Sequence, residues 1–194
     1  MTPKRAVATA GLTVVAALLA WLLFVGLPRW YGTPEADAAT GANQTAAPNG
    51  DGRKITARLF YVSADGTRLT GIEREVPYAE RTADQARHIL EAQIARAPGA
   101  QVSAVPSGTS LRALYVTDQG TAFVDLSREV ASAHPGGSLN ELLTIYTIVQ
   151  ALTSNIPAVT SVQLLVDGKE VETLAGHVDI RGPLPRADAW VSER

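Results

Sequence analysis

Thr121–Ser154 reads TAFVDLSREVASAHPGGSLNELLTIYTIVQALTS, and the fold turns on how it is parsed. Its first residues alternate as a strand, a loop follows around His134-Pro135-Gly136-Gly137, and the remainder is strongly apolar. Behind Ser138, the residues Leu139, Leu142, Leu143, Tyr146 and Val149 share one helical face, which Ile145, Ile148 and Leu152 widen. No charge occurs from Leu142 to Ser154. A helix with so few solvating side chains needs cover on most of its surface, and a sheet is the expected cover. Ser138 with Glu141 three residues on predicts a capping box at its start.

Working outward, the strand half of this stretch belongs to a hairpin that resembles an earlier one. ALYVTDQGTAFVDLSREV, from Ala113, lies without gaps under LFYVSADGTRLTGIEREV, from Leu59. Tyr61/Tyr115, Gly66/Gly120, Thr67/Thr121 and the Arg-Glu-Val triplets at 74–76 and 128–130 coincide. A common origin and the limited chemistry of hairpin turns account for this equally well. Between the two copies, Thr82 opens a helix with Ala86, Ile89, Leu90, Ile94 and Ala97 as its buried stripe, and Pro98-Gly99 ends it. After the apolar helix, Asn155-Ile156-Pro157 is a stop. Val159–Val166 then reads as a strand turning at Asp167-Gly168 into Glu170–Leu174. AGHVDIRGPLPR leaves room for one short strand and a loose end. The resulting order, β-β-α-β-β-α-β-β, predicts an α+β domain: a largely antiparallel sheet with two helices.

The N-terminal part has a different texture. Ala6–Leu27 is an uncharged apolar run of about 22 residues, enough to cross a hydrocarbon core as a helix. Lys4 and Arg5 precede it, and after Arg29 no base occurs until Arg53. The positive-inside rule then keeps the N-terminus in the cytoplasm and sends the rest across. A cleaved signal peptide is the competing reading, with Ala36-Asp37-Ala38 as a cleavage site, but the apolar run is long and that site is remote from it. The sequence therefore divides into a signal anchor over 1–31, a flexible linker over 32–52 and a soluble domain over 53–194. The linker, GTPEADAATGANQTAAPNGDG, has a coil span of roughly 25 Å. With no cysteine in the 194 residues, disulfides, thiolate metal sites and a lipid-modified cysteine are excluded. The net charge of −2 offers no basic footprint for nucleic acid.

The region from Arg53 to Arg186 resembles the GerMN domain of the sporulation and germination protein GerM and related envelope proteins. The resemblance is carried by LFYVSADGTRL, VPSGTSLRALYVTDQGTAFVDLSREV, IVQALTSNIPAVTSVQLLVDG and ETLAGHVDIRGPLPR. It implies a membrane-tethered module outside the cytoplasm that binds rather than reacts. Its partners would be envelope proteins or cell-wall material, and it would use no cofactor.

The residues themselves offer three kinds of site. Asp125, Ser127, Glu129, His134 and Glu141 could on paper form an envelope hydrolase, with nucleophile, base and carboxylates, though no G-x-S-x-G elbow frames Ser127. That reading requires Ser127, Glu129 and His134 to converge. The loop from Asp125 to Ser138, including Gly136 and Gly137, could instead be bound by a small ligand or a partner. The third candidate is an uncharged stripe of Asn140, Thr144, Thr147, Ala151 and Ser154, offered as a protein-docking surface. His88, His134 and His177 show no metal-ligand spacing, and Asp65-Gly66 and Asp167-Gly168 lack the further carboxylates of a calcium loop.

Overall fold

In the computed structural model, which describes residues 52–192, β1 (Lys54–Val62) and β2 (Leu69–Pro77) pair antiparallel along their whole length as a two-stranded sheet. The expected membrane helix and most of the linker lie outside the described residues. Among those described, no helix is long and apolar enough to cross a membrane. Helix α1 (Thr82–Ile94) follows, then β3 (Leu111–Val116) and β4 (Thr121–Leu126), the single-turn helix α2 (Glu129–Ser132), and α3 (Ser138–Thr153). Two further strands, β5 (Ser161–Val166) and β6 (Leu184–Pro185), complete a four-stranded sheet ordered β3-β4-β5-β6.

The α+β character agrees with the sequence reading, but the sheet differs from it in three respects. There are two sheets rather than one. β4 and β5 run parallel, Thr121 opposite Ser161 through Leu126 opposite Val166. A parallel pair needs a crossover that returns the chain to the same end, and the stretch containing α3 supplies it. The third difference is at the last hairpin. Asp167 and Gly168 both take positive φ (50° and 76°), as the expected tight turn requires. Pairing nevertheless stops at the Val166–Lys169 bridge, and the returning strand is Leu184–Pro185 instead of Glu170–Leu174.

The two hairpins keep the repeated glycine, at φ 74° for Gly66 and 84° for Gly120. They part at the shared Arg-Glu-Val triplet. Arg74, Glu75 and Val76 stay in β2 because nine-residue β1 runs alongside, pairing them with Ala57, Thr56 and Ile55. β3 is only six residues long, and the last bond past its end is Ser127 N–H to Ser110 O. Without a strand to pair with, Arg128 to Val130 coil into α2. The same three residues are thus strand or helix according to whether a neighbouring backbone is present.

Helix α3 is covered nearly all round, as its lack of charge requires. From Leu143 to Leu152 every residue but Tyr146 is buried, and Tyr146 is half-buried. It packs against β1, α1 and β5, and the C-terminal segment straps a further side. Gln150 Nε2 donates to Ala187 O at 2.8 Å, and Trp190 lies over Tyr146 with ring centroids 6.3 Å apart. Ser192 N–H then reaches Leu69 O in β2 at 2.8 Å. The C-terminal segment up to Ser192 is therefore pinned back to the first hairpin rather than loose.

Among the described residues the outer edge of β1 has no neighbouring strand, yet its main-chain groups are satisfied at Arg58 and Phe60 and at the Val62 N–H. Gln93, fully buried on α1, accepts from Phe60 N–H (2.7 Å) and donates to Phe60 O (2.8 Å). Asn155, just past α3, does the same for Arg58 at 2.8 Å in both directions. Val102 O takes Val62 N–H at 2.9 Å. Two side-chain amides and one carbonyl thus stand in for a strand, leaving no buried main-chain group at those positions without a partner.

Candidate functional site

The loop before α3 is closed by side chains at each of its ends. His134 Nδ1 accepts Gly136 N–H at 3.0 Å, so the imidazole hydrogen sits on Nε2, which donates to Thr144 Oγ1 at 3.1 Å. Thr144 passes its own hydrogen to Ala104 O at 2.7 Å. Asn140 Nδ2 holds Gly136 O at 2.9 Å. Gly136 and Gly137 both have positive φ, 81° and 86°, which only glycine adopts without strain. Their presence here answers a conformational requirement.

Glu141 corrects the capping-box expectation. Gly137 is the N-cap residue and no side chain caps α3. The Glu141 carboxylate is fully buried and bonds a segment more than thirty residues away instead. Oε1 accepts Leu174 N–H (2.8 Å) and Ala175 N–H (2.9 Å), while Oε2 accepts His177 N–H (2.8 Å) and contacts His177 Nδ1 (3.1 Å). Burial on its own would raise this carboxyl's pKa. The backbone N–H groups of Ala175, His177, Leu174 and Val178 outweigh it and hold the group below the usual glutamate value. This segment forms no strand: the N–H groups of Leu174, Ala175 and His177 go to the carboxylate and that of Gly176 to Thr173 Oγ1, not to a ladder.

The remaining polar candidates divide between bracing and surface. Asp125 is buried, accepting Gly168 N–H at 2.7 Å and pairing with Arg112 Nε at 3.2 Å. Arg112 also binds Asp167 at 2.6 Å, and Asp167 receives Arg128 N–H at 3.2 Å. These contacts tie β3, β4, the turn after β5 and the start of α2 together, which is a bracing role for Asp125. Ser127 Oγ accepts Ser110 N–H at 3.0 Å, and its hydroxyl bonds Glu129, whose pKa is lowered chiefly by that bond. His134 does not join them, since both its ring nitrogens are engaged with Gly136 and Thr144. The convergence that a hydrolase would need is not formed. The proposed docking stripe is also corrected. Thr144, Thr147 and Ala151 are fully buried, so of that row only Asn140 is exposed.

Against this braced loop lies a groove that the sequence reading missed. It has a volume of about 610 Å³ and is lined by Ile94 at the end of α1, by Ala95, Arg96 and Ala97 just after it, by Ser103–Gly108 and by Pro135. The lining is mostly small and apolar, with Ser103 and Ser107 hydroxyls and Arg96 as its one charged residue. The Ser103–Gly108 wall is fixed. Ser103 Oγ bonds Val105 N–H at 3.1 Å, Thr109 N–H closes a turn on Pro106 O, and Ala104 O is the carbonyl that Thr144 holds.

Residues 58–172, more than half the chain, match the family described as Germane: Sporulation and spore germination. The chain belongs to the Germane family. The fold agrees with solved GerMN domains at low sequence identity. The first GerMN domain of the Bacillus subtilis sporulation protein GerM shares 20% identity over 68% of this chain and 98% of its own, with a TM-score of 0.52. The tandem GerMN domains of the same protein share 17% over 70% of this chain and 45% of theirs, with a TM-score of 0.50. A candidate lipoprotein of Clostridium perfringens shares 23% over 70% and 89% respectively, with a TM-score of 0.49. No curated protein matches in sequence. In this Germane domain every residue lining the groove lies inside the matched range, whereas β6 and the C-terminal strap lie beyond it. The only sequence signal for the groove is ARAPGAQVSAVPSG, a run without periodicity that reads simply as a loop.

Proposed function

We propose that this protein is a non-enzymatic binding and assembly module, tethered to the cytoplasmic membrane through residues 6–27, with its Germane domain outside the cytoplasm. Its partners are envelope proteins or cell-wall material, in complexes of the kind the family's sporulation and germination setting calls for. The observation that carries the reading is how the polar residues are used. Asp125, His134 and Glu141, the groups that could have powered a reaction, are each bonded within the fold, and Ser127 meets Glu129 without an imidazole. The apolar N-terminal run with its flanking charges supports the tether. Fusions to alkaline phosphatase, which is active only outside the cytoplasm, test the topology. A fusion after Arg53 is expected to be active and one before Ala6 inactive; the reverse pattern overturns the reading. Binding is tested by cross-linking the full-length chain in its native membrane, where recovery of envelope proteins or wall fragments is expected and recovery of neither counts against it.

A further inference from the structure

We propose that the groove between the end of α1, Ser103–Gly108 and Pro135 docks a short extended segment of a partner protein, rich in small apolar residues and carrying one acidic side chain. This names the partner class for the binding module proposed above and rests on that reading. The size suits such an occupant, since about 610 Å³ falls within the roughly 300–1,000 Å³ of ordinary ligand clefts. The Ser103–Gly108 wall is already formed, braced by the His134–Thr144–Ala104 chain of hydrogen bonds and the Ser103–Val105 turn, which lowers the ordering cost of binding.

The chemistry of the lining selects the occupant. Ile94, Ala97, Val105, Pro106 and Pro135 offer shallow apolar contacts suited to alanine- or valine-sized side chains. The main-chain N–H groups of Arg96, Ser107 and Gly108 make no hydrogen bond among the described residues, so they are free to meet the carbonyls of an extended backbone. Arg96 is exposed and likewise makes no ion pair or hydrogen bond there, and no acidic residue lines the groove. An unpaired guanidinium beside an apolar floor complements a carboxylate. The lining has no aromatic ring on which a sugar could stack. Next to Ser103, Val102 is 60% exposed and continues the apolar surface beyond the groove, which favours a protein over a small molecule.

The test is selection from a phage-displayed random dodecapeptide library on the full-length chain in nanodiscs. Selected peptides are expected to combine an acidic residue with small apolar ones. They should lose about tenfold or more in affinity for Arg96→Glu and keep their affinity for Tyr115→Ala, which lies on another element. A melting temperature for Arg96→Glu equal to that of the parent shows that the loss is not unfolding. Selection of nothing, of peptides without acidic residues, or of peptides indifferent to Arg96 overturns the proposal. So does Arg96-dependent binding of a soluble wall stem peptide in the absence of protein ligands. If envelope proteins still cross-link to Arg96→Glu as to the parent, the groove assignment fails while the binding-module reading stands. Loss of all cross-linking in the parent fails the latter.

Discussion

Replacing Glu141 with glutamine keeps the shape of a fully buried side chain and removes its charge. Three main-chain N–H groups and one imidazole nitrogen converge on two oxygens at 2.8 to 3.1 Å. Glutamine offers one oxygen and one NH2, so at least one N–H donor is left facing another donor. Hydrogen bonds to a charged group contribute about 1.5–3 kcal/mol each, and the change weakens one pair and breaks another. The expected cost is about 3 kcal/mol, a fall of roughly 6–12 °C in melting temperature for a protein of this size. Glu141→Ala, which orphans every donor, should cost more. The pH dependence provides a second reading. Because the folded pKa lies below the ordinary value of 4.5, the carboxylate's stabilisation is complete above that pH and is lost as pH falls through the folded value. The gap between parent and Glu141→Gln should therefore be widest near pH 7 and close as the solution is acidified below about pH 4.3. Urea titrations followed by tryptophan fluorescence, with Trp190 against Tyr146 as reporter, measure it. A penalty under about 0.5 kcal/mol, or a gap that does not change with pH, would refute the assigned role.

Other expectations follow from the same packing. Gly120→Ala would set a Cβ 2.9 Å from Ala158 O and Thr160 Oγ1 at positive φ, so a loss of at least about 2 kcal/mol is expected. At the equivalent Gly66 nothing lies within 4 Å, and the same change should cost only about 1–2 kcal/mol by thermal melting. Gln93→Met strips the amide from Phe60, leaving a buried N–H and C=O unpaired, and should destabilise by about 2–5 kcal/mol in denaturant titration. Thr147→Val points the other way. The Thr147 hydroxyl is buried without a partner among the described residues, so a methyl in its place should leave stability unchanged or raise it by about 1 kcal/mol.

Much of the architecture was legible because it rests on short-range patterns. Alternation located the hairpins, the uncharged run of α3 announced its cover, and Asp167-Gly168 announced a tight turn. What was hidden depends on distant neighbours. Glu141 three residues after Ser138 looks like a cap, because the i,i+3 spacing is local, while its real partners at 174–177 carry no periodic signal. The parallel register of β4 with β5 follows from where the crossover returns the chain, which alternation within a strand does not encode. Gln93 looks like an ordinary position on a helix until the β1 edge is seen beside it. The Asp125–Ser138 loop was singled out as a place to be bound, yet Asp125 and His134 spend their polar atoms on bonds within the fold. The surface they shape is contributed by alanines, serines and prolines of another segment, residue types with little individual chemistry.

The amides of Gln93 and Asn155 have a consequence for self-association. They occupy the β1 edge, and the strap through Val191 and Ser192 blocks the start of the β2 edge. At the other sheet, β6 has two residues, one of them a proline that has no N–H to offer. Among the described residues, β3 and the part of β2 beyond Leu69 remain as outer strands without a capping amide, so strand-to-strand association is confined to these two edges.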